Sequence, residues 1–252
     1  ILLLISGASN LDKGLWAWLL ALSGTAGLIL FLVLEARTEY PVLNVTLLRS
    51  NRVFAFSNLA AMLNYAATFG VTFFLSLYLQ YVKGLNPREA GTILIIQPIV
   101  QAAFSPLCGR LADRFSAASV ATLGMTLCAA GLGMAASITA DTSIPLIMTM
   151  LATLGLGFAL FSSPNISVIM GSVPPRYLGV ASGLNSTMRT LGMMASMTII
   201  TIIFSIFMAG HAVTPETQPQ FLTSMHTALL TFSALCVVGI FFSIARIQRQ
   251  PQ

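Results

Sequence analysis

Long apolar runs separated by short polar segments dominate the chain. Seven of them are long enough to cross a membrane as helices, at residues 15–34, 54–81, 90–107, 117–138, 145–171, 178–209 and 222–244. Their polarity does not alternate in segments of roughly ten residues, as barrel strands would. The pattern predicts an all-α, polytopic transmembrane helical bundle. A further run at residues 1–5 is too short to span, so we expect a fragment of a longer protein.

Composition and charge placement support this class. The chain is 56% hydrophobic and 8% charged, which leaves too little polar surface for a soluble protein of 252 residues. Its net charge of +5 is compatible with nucleic-acid binding, but most cations fall between the runs, so a topology signal explains them better. Predicted inside loops carry eight cations: Arg37, Arg49, Arg52, Arg110, Arg114, Arg176, Arg246 and Arg249. Outside loops carry three: Lys13, Lys83 and Arg88. The C-terminus is therefore predicted to be cytoplasmic.

A short charged segment between two apolar runs sets this orientation. Gly109, Arg110, Asp113 and Arg114 lie within six residues, which predicts a tight cytoplasmic loop. Gly109 would allow a sharp turn. Asp113 would cap the helix that begins near Phe115 and pair with the arginines. A simple solvated turn is the alternative interpretation.

Enzymatic and metal-binding functions are not expected. His211 and His226 have no carboxylate nearby in sequence that would complete a catalytic triad or metal site. The three cysteines, Cys108, Cys128 and Cys236, lack metal-ligand spacing and are predicted to be packing residues. Gly155 and Gly157 lie in an apolar run and are predicted to allow close helix packing. The sequence therefore predicts neither a metal nor a cofactor.

Several motifs in one order carry a family resemblance. They are Pro98, the segment Gly-Arg-Leu-Ala-Asp-Arg at 109–114, Leu-Gly-Leu-Gly at 154–157, Pro164, and Gly-Val-Ala-Ser-Gly-Leu-Asn at 179–185 continuing to Arg189. Together they resemble the C-terminal half of a major facilitator superfamily transporter, most closely the fourteen-span drug:proton antiporter branch. Residues 35–43 and 49–54 resemble the linker after that branch's additional hairpin. In one departure, the glycine and basic residues that commonly continue the loop motif are missing after Arg114.

The resemblance implies an organisation and a function. Residues 1–34 would be part of a central transmembrane hairpin, 35–53 a cytoplasmic linker, and 54–252 a six-helix half with a short cytoplasmic tail. The implied function is proton-coupled efflux of hydrophobic or cationic drug-like compounds by alternating access, with the charged loop acting as a gate. Implied partners are the bilayer of a bacterial inner membrane, a small-molecule substrate, protons and an N-terminal half. That half would carry the proton-relay acids, because all seven acids here fall in predicted loops or at helix ends. A metabolite or sugar transporter, and a non-transporting scaffold or truncated remnant, are the alternatives.

Polar residues inside the apolar runs are the candidate cavity residues. Asn58, Tyr65 and Thr68 share one face of the run at 54–81, with Asn64 beside them. Two further sets are Gln97 and Gln101, which form a stripe on the next run, and Asn165, which follows Pro164. The resemblance places the first of these faces at the central cavity. Interhelical hydrogen bonding remains the alternative for both polar faces, and Pro164 is predicted to interrupt and kink its helix.

Arg189 is the remaining candidate and the one cation predicted inside a span. It lies about 16 Å along its helix, near the middle of the membrane, where a charge costs about 2.5–3.5 kcal/mol. Arg189 should therefore face protein or a wet cavity, with Ser182 and Asn185 on its own face as partners. Beside a cavity, it would meet an acid of the other half or lower that acid's pKa. Alternatively, backbone carbonyls of neighbouring helices hold it.

Overall fold

The computed structural model describes residues 51–208, 211, 213–214 and 216–247, and before them residues 19, 22–27 and 30. The chain divides into two compact units, Ile1–Ser50 and Asn51–Gln252. The described residues of the first unit are helical. Most of the predicted first span at 15–34 and of the linker at 35–53 falls outside the described residues.

The second unit is built from helices that follow one another with short connections. They are α1, Arg52–Leu77, continued by a π-helical turn at Tyr78–Val82; α2, Pro87–Leu94; α3, Ile96–Arg114; α4, Ala117–Ala136; α5, Ile144–Gly171; α6, Leu178–Met208, after a 3₁₀ turn at Pro175–Tyr177; and α7, Gln218–Ile247. Because α2 and α3 form one span, the described residues contain six helices long and apolar enough to cross a membrane. The predicted all-α transmembrane bundle is confirmed.

Helix starts carry the expected capping residues. Asn51 precedes α1, and its side-chain oxygen accepts a hydrogen bond of 3.0 Å from the backbone N–H of Phe54. Asn86 and Glu89 form a reciprocal capping box at the start of α2, with Pro87 in its first turn. These local signals explain why the helices begin within a few residues of the predicted boundaries.

The core lies where α1 meets its neighbours. Helix α1 packs against α6 and α7, α4 packs against α5 and α7, and α3 packs against α5. Phe74 of α1 lies 5.7 Å from the Phe204 ring of α6 and 6.4 Å from the Phe221 ring of α7, measured between centroids. Aromatic contacts in this range add to the burial of the rings. Helix α1 is thus surrounded on several sides, and its polar residues meet several different helices.

Two glycines of α5 let this helix approach two neighbours at once. A Cβ atom on Gly155 would lie 2.5 Å from the backbone oxygen of Gln97 in α3. One on Gly157 would lie 2.8 Å from the backbone nitrogen of Cys128 in α4. No side chain fits at such distances unless the backbones separate. The prediction that these glycines serve close helix packing is confirmed.

The charged segment at 109–114 is helical, and this corrects the predicted tight loop. It forms the last turns of α3, and only Phe115 and Ser116 separate it from α4. Asp113 does not cap α4, because the N-cap position is Ser116 and has no side-chain cap. Nor does Asp113 form an ion pair with a described arginine. The helical backbone satisfies its own hydrogen bonds while Arg110, Asp113 and Arg114 remain exposed, so the charges do not require a loop.

Gly109 and Pro164 also differ from expectation. Gly109 is helical and makes no turn, and a Cβ there would only touch the Ser163 hydroxyl at 3.9 Å. Pro164 lies inside the continuous helix α5 and does not interrupt it. A membrane helix tolerates an internal proline because neighbouring groups and small adjustments of the backbone satisfy the carbonyl that it frees.

Three side chains hold the turn between α4 and α5. The Tyr78 hydroxyl donates to the Thr139 carbonyl at 2.7 Å, and the Lys83 ammonium donates to the Ala140 carbonyl at 2.6 Å. His226 of α7 bonds the Ile138 carbonyl through Nε2. Three successive carbonyls thus have partners from α7 and from the end of the span that begins with α1. This end of the bundle is fixed by directional bonds as well as by packing.

We expect Gly155→Ala and Gly157→Ala each to lower the free energy of unfolding by about 1–3 kcal/mol, because the added methyl group must push two backbones apart. The measurement is reversible unfolding of the purified protein in mixed micelles. Gly133→Ala in α4 is the matched control, since a Cβ there meets nothing within 4 Å. Stability equal to that of the control would mean that the close approach is not required.

Candidate functional site

A cavity of about 490 Å³ opens among α1, α3, α5 and α6. Its volume falls within the roughly 300–1,000 Å³ typical of small-molecule sites. Twelve residues line it: Tyr65, Thr68, Phe69, Thr72, Phe73, Gln97, Gln101, Phe158, Ser162, Arg189, Met193 and Met197. The wall thus combines aromatic rings, short polar side chains, two methionines and one cation.

Helical spacing explains how the chain builds this wall. Arg189, Met193 and Met197 follow one another at intervals of four residues on α6, so they project from one face. Gln97 and Gln101 have the same spacing on α3. The sequence analysis missed Met193, Met197 and the phenylalanines, although the four-residue spacing from Arg189 was a usable signal for both methionines.

A second cavity of about 430 Å³ lies beside the break between α2 and α3. It shares Thr72, Gln97 and Gln101 with the first. The two glutamines therefore lie on the boundary between two open spaces, where their amide groups have both a donor and an acceptor available.

Arg189 is an exposed side chain on the cavity wall. Its guanidinium carbon lies 5.3 Å from the centroid of the Tyr65 ring, within the range of a cation–π interaction. The Tyr65 ring in turn meets Phe158 edge to face, with centroids 5.2 Å apart. Arg189 makes no hydrogen bond to any described residue, so neither the expected bonds to Ser182 and Asn185 nor backbone carbonyls hold it.

The charge on this wall is of one sign. None of the described lining residues is an aspartate or glutamate. The described acids lie elsewhere, in short turns or in the first or last turn of a helix: Glu89, Asp113, Asp141 and Glu216. Arg189 is thus the charged group of the cavity wall within the described part of the chain.

Tyr65, Thr68, Gln97, Gln101 and Arg189 are the sequence candidates that the structure brings together. It does not bring the three candidate asparagines into this wall. Asn58 is buried and donates to its own helix, at 2.9 Å from the Phe54 carbonyl. Asn64 is fully buried, and its side chain has no hydrogen-bond partner among the described residues.

Asn165 belongs to a buried polar cluster around Arg246. Arg246 was predicted in a cytoplasmic tail, and this is wrong: it lies in the last turn of α7 and is 0% exposed. Its Nη1 donates to the Ser57 hydroxyl at 3.1 Å and to the Asn165 side-chain oxygen, and its Nη2 donates to the Ala118 carbonyl at 3.4 Å. Asn165 also donates to the Ser57 carbonyl at 3.2 Å. Four helices therefore meet at one guanidinium group.

A sequence signal for the buried position of Arg246 was present. Cys236, Gly239 and Ser243 are buried and lie three to four residues apart, and Arg246 continues this series by three. The small residues mark the packed face of α7, so the same face reaches Arg246. Without Arg246, the predicted inside loops keep seven cations against three outside, which leaves the predicted orientation unchanged.

Comparison with known proteins places this architecture in a family. The profile of the Major Facilitator Superfamily matches residues 1–197 and 57–250.

The chain belongs to the major facilitator superfamily. The riboflavin transporter RibZ of Clostridioides difficile is 32% identical over 189 residues, covering 74% of this chain and 40% of that protein. The multidrug resistance protein Stp of Mycobacterium tuberculosis is 30% identical, covering 68% of this chain and 31% of that protein. The tetracenomycin C resistance and export protein of Streptomyces glaucescens is 28% identical, covering 70% and 34%.

A solved transporter structure shows the same fold. A bacterial homologue of the human lysosomal transporter Spinster, in an inward-facing and occupied conformation, matches with a TM-score of 0.62 at 18% identity. The match covers 98% of this chain and 64% of the Spinster homologue. The chain spans less than half the length of each of the three curated relatives. It is an integral membrane protein that covers part of a superfamily transporter.

The Arg246 cluster predicts an order of mutational effects. Asn165→Leu should cost about 3 kcal/mol of unfolding free energy, because the buried charge loses a hydrogen bond and keeps fewer acceptors. Arg246→Met should cost less, about 1–3 kcal/mol, because only neutral acceptors lose a partner. The double variant should cost less than the sum of the two single variants, because the charge of Arg246 that Asn165→Leu would leave with fewer acceptors is no longer present. The measurement is reversible unfolding in mixed micelles.

Arg88→Gln is the control for this series, because Arg88 is an exposed cation near a helix start. We expect its stability to stay within about 0.5 kcal/mol of the unmodified protein. Additive effects of Asn165→Leu and Arg246→Met would contradict the idea that the two side chains act as one unit.

Proposed function

We propose that this chain forms the second half of a bacterial inner-membrane transporter that exports hydrophobic, drug-like aromatic compounds in exchange for protons. The observation that carries the proposal is the cavity wall of aromatic rings, methionines and short polar groups among four apolar helices. Such a wall suits ligands that are mainly apolar with a few hydrogen-bonding groups. Two of the relatives are named for drug resistance or export, which supports the same class.

The resemblance also implied cationic substrates, and the proposal leaves them out. A cation in this cavity would approach the fixed charge of Arg189, and no carboxylate of the described wall would compensate. The repulsion between the cation and Arg189 is stronger here than in water, because charges interact more strongly where the surroundings are apolar. The compounds proposed are therefore hydrophobic and not cationic.

Transport would follow the alternating-access scheme, in which two halves rock around a site near the membrane midplane. In this proposal residues 54–252 contribute one wall, an N-terminal half contributes the other, and the C-terminus is cytoplasmic. The described acids lie in short turns or in the first or last turn of a helix, and a proton relay needs acids inside the membrane. The relay is therefore assigned to the N-terminal half.

A metabolite transporter is the second candidate function. It is favoured by the 32% identity to a protein named as a riboflavin transporter. Riboflavin is an aromatic ring system with a polar chain, so the same cavity chemistry suits it. Saturable riboflavin transport by the complete transporter, without transport of unrelated aromatic compounds, would favour this candidate over drug export.

The export proposal predicts substrate-driven proton movement. In proteoliposomes of the complete transporter with an imposed pH gradient, adding the neutral aromatic compound 2-naphthamide should accelerate the collapse of the gradient, as followed with a pH-sensitive dye. Glu89→Gln, Asp141→Asn and Glu216→Gln should each change this rate by less than about twofold, since surface substitutions of this kind are mild. Glu89→Gln also preserves the capping box.

Two outcomes would contradict this prediction. A gradient that collapses at the same rate with and without 2-naphthamide would argue against proton-coupled export of such compounds. Loss of the effect in one of the three acid variants, in protein that is still inserted and folded, would place the proton relay in this chain and not in the N-terminal half.

We further propose that the charged end of α3 acts as a gate. Asp113 lies in the last turn of α3, where the helix dipole disfavours a negative charge, and it has no ion-pair partner among the described residues. Because Asp113 does not stabilise its own helix, its carboxylate is available to contact another part of the transporter. Arg114, by contrast, is favourably placed in the last turn of this helix.

Asp113→Asn should therefore slow turnover by about fivefold or more while changing substrate affinity little, because it would bias one gated state. Initial transport rates and equilibrium binding, measured on the same preparation, separate the two quantities. Asp141→Asn is the matched control, since Asp141 is an exposed acid in the turn between α4 and α5. Equal turnover for the Asp113 variant and the control would leave the charged end without a gating role.

A further inference from the structure

We infer that Arg189 is an anion-binding residue, and that the preferred ligands of this cavity are aromatic compounds that carry a carboxylate or another acidic group. This inference rests on the proposed function, because it specifies the substrate class of the same cavity. It goes further by assigning one residue to recognition of one chemical group.

The first argument is the position of the charge. Arg189 lies inside the span Pro175–Met208, which is long and apolar enough to cross a membrane. A guanidinium in such a span carries an energetic cost that ion pairing or hydration must offset. Charged residues inside membrane spans face the interior of the bundle or a wet cavity and mark binding sites or pathways.

The second argument is that the described protein does not satisfy this guanidinium. Its nitrogens donate to no described residue, and the described cavity wall contains no carboxylate. Arg246 of the same bundle shows the opposite case, because it bonds acceptors from three other helices. Arg246 is therefore surrounded by acceptors from other helices, whereas the donors of Arg189 have no acceptor among the described residues.

The third argument is the geometry of the contact with Tyr65. The guanidinium carbon lies over the ring, 5.3 Å from its centroid, and the guanidinium makes no hydrogen bond to a described residue, so its donors remain available to a ligand. The planar fork of an arginine matches the two oxygens of a carboxylate, and such paired hydrogen bonds are strong because both groups are charged. Tyr65 is itself packed against Phe158, which holds the ring that supports Arg189.

The fourth argument is the chemistry of the rest of the wall. Phe69 and Phe73 add ring surfaces for an aromatic ligand, and Met193 and Met197 are adaptable side chains that accommodate different shapes. A flat aromatic body with an acidic group at its edge therefore matches both kinds of surface that the wall offers.

An acid of the N-terminal half is the rival partner for Arg189. In that case the charge of Arg189 would be neutralised before any ligand binds, and the cavity would not distinguish an anion from its neutral analogue. The two explanations therefore predict different selectivity among ligands that share one shape and differ in charge.

The experiment measures binding of radiolabelled 2-naphthoate to the purified complete transporter near neutral pH, where the carboxylate is ionised. Unlabelled 2-naphthamide and 2-naphthyltrimethylammonium compete as the neutral and cationic analogues. Arg189→Gln removes the charge, and Arg189→Lys keeps it but loses the planar fork. Arg176→Gln is the matched control, because the guanidinium carbon of Arg176 also lies over a tyrosine ring, 4.8 Å from the Tyr177 centroid, and Arg176 is not part of the cavity wall.

We expect the unmodified transporter to bind naphthoate at least about tenfold more tightly than naphthamide, as hydrogen bonds between charged groups imply. Arg189→Gln should abolish this preference, which is read as the ratio of the naphthoate and naphthamide affinities of the same preparation. The naphthamide binding that remains shows that the variant is folded. Arg189→Lys should retain part of the preference, and Arg176→Gln should behave like the unmodified protein.

Three results would overturn the inference: no preference for naphthoate in the unmodified protein, a preference that survives in Arg189→Gln, or tightest binding of the cationic analogue. If Arg189→Gln lost binding of all three compounds, Arg189→Lys would decide, because the inference requires a smaller preference for naphthoate over naphthamide in that variant than in the unmodified protein. Failure of the export proposal is seen separately, as the absence of naphthamide-driven proton movement in the unmodified transporter.

Discussion

The buried guanidinium of Arg246 is the interaction on which one end of this bundle depends. A charge that is 0% exposed must be held by hydrogen-bond acceptors, and here they come from α1, α4 and α5. All three acceptors are neutral, so the cluster is held by the direction of its bonds and not by cancellation of charge. Because directional bonds tolerate little displacement, the end of α7 cannot slide past these three helices without losing them.

The other end of the same helices is fixed by a different device. Here the fixed element is the turn between α4 and α5, and the donors come from Tyr78, Lys83 and His226. Helix α4 begins beside Arg246 and ends at this turn. Its start is therefore bonded to α7, and the turn at its end is bonded to α7 and to the span that begins with α1. Between these fixed ends the close approach of α5 to α3 and α4 leaves no room for a side chain at Gly155 or Gly157. A unit fixed in this way is suited to move as one body, which is how a transporter half is expected to move.

The sequence predicted the ends of the six described spans to within four residues, except at Arg114, where the helix continues seven residues beyond the predicted end. A run of about twenty apolar residues has few other uses in a protein. It predicted cavity residues less completely. Asn58 and Tyr65 share a face of α1, yet they lie about 10 Å apart along the helix axis, so a common face does not give a common depth. The error at Arg246 came from ending the last predicted span at Ile244, two residues before this arginine. The spacing of the small buried residues of α7 indicated its packed face, but the acceptors on three other helices are tertiary surroundings that no local pattern contains. The error at Asp113 came from assuming that charges require a loop, whereas a helix can carry exposed charges in its last turn.

The exposure of α3 shows what the described unit does not enclose. In the most apolar part of the span Pro87–Arg114, 6% of the residues are buried, against 56% in the corresponding part of Arg52–Val82. Lipid can cover the exposed Ile99 at no cost, because hydrocarbon is as apolar as this side chain. Lipid cannot cover Gln97 or Arg189 of α6 favourably, since unsatisfied polar groups are costly in hydrocarbon. The same helix therefore has one side suited to the bilayer and one side that requires water, a ligand or more protein. In the proposed function, this polar wall is the side that faces the N-terminal half.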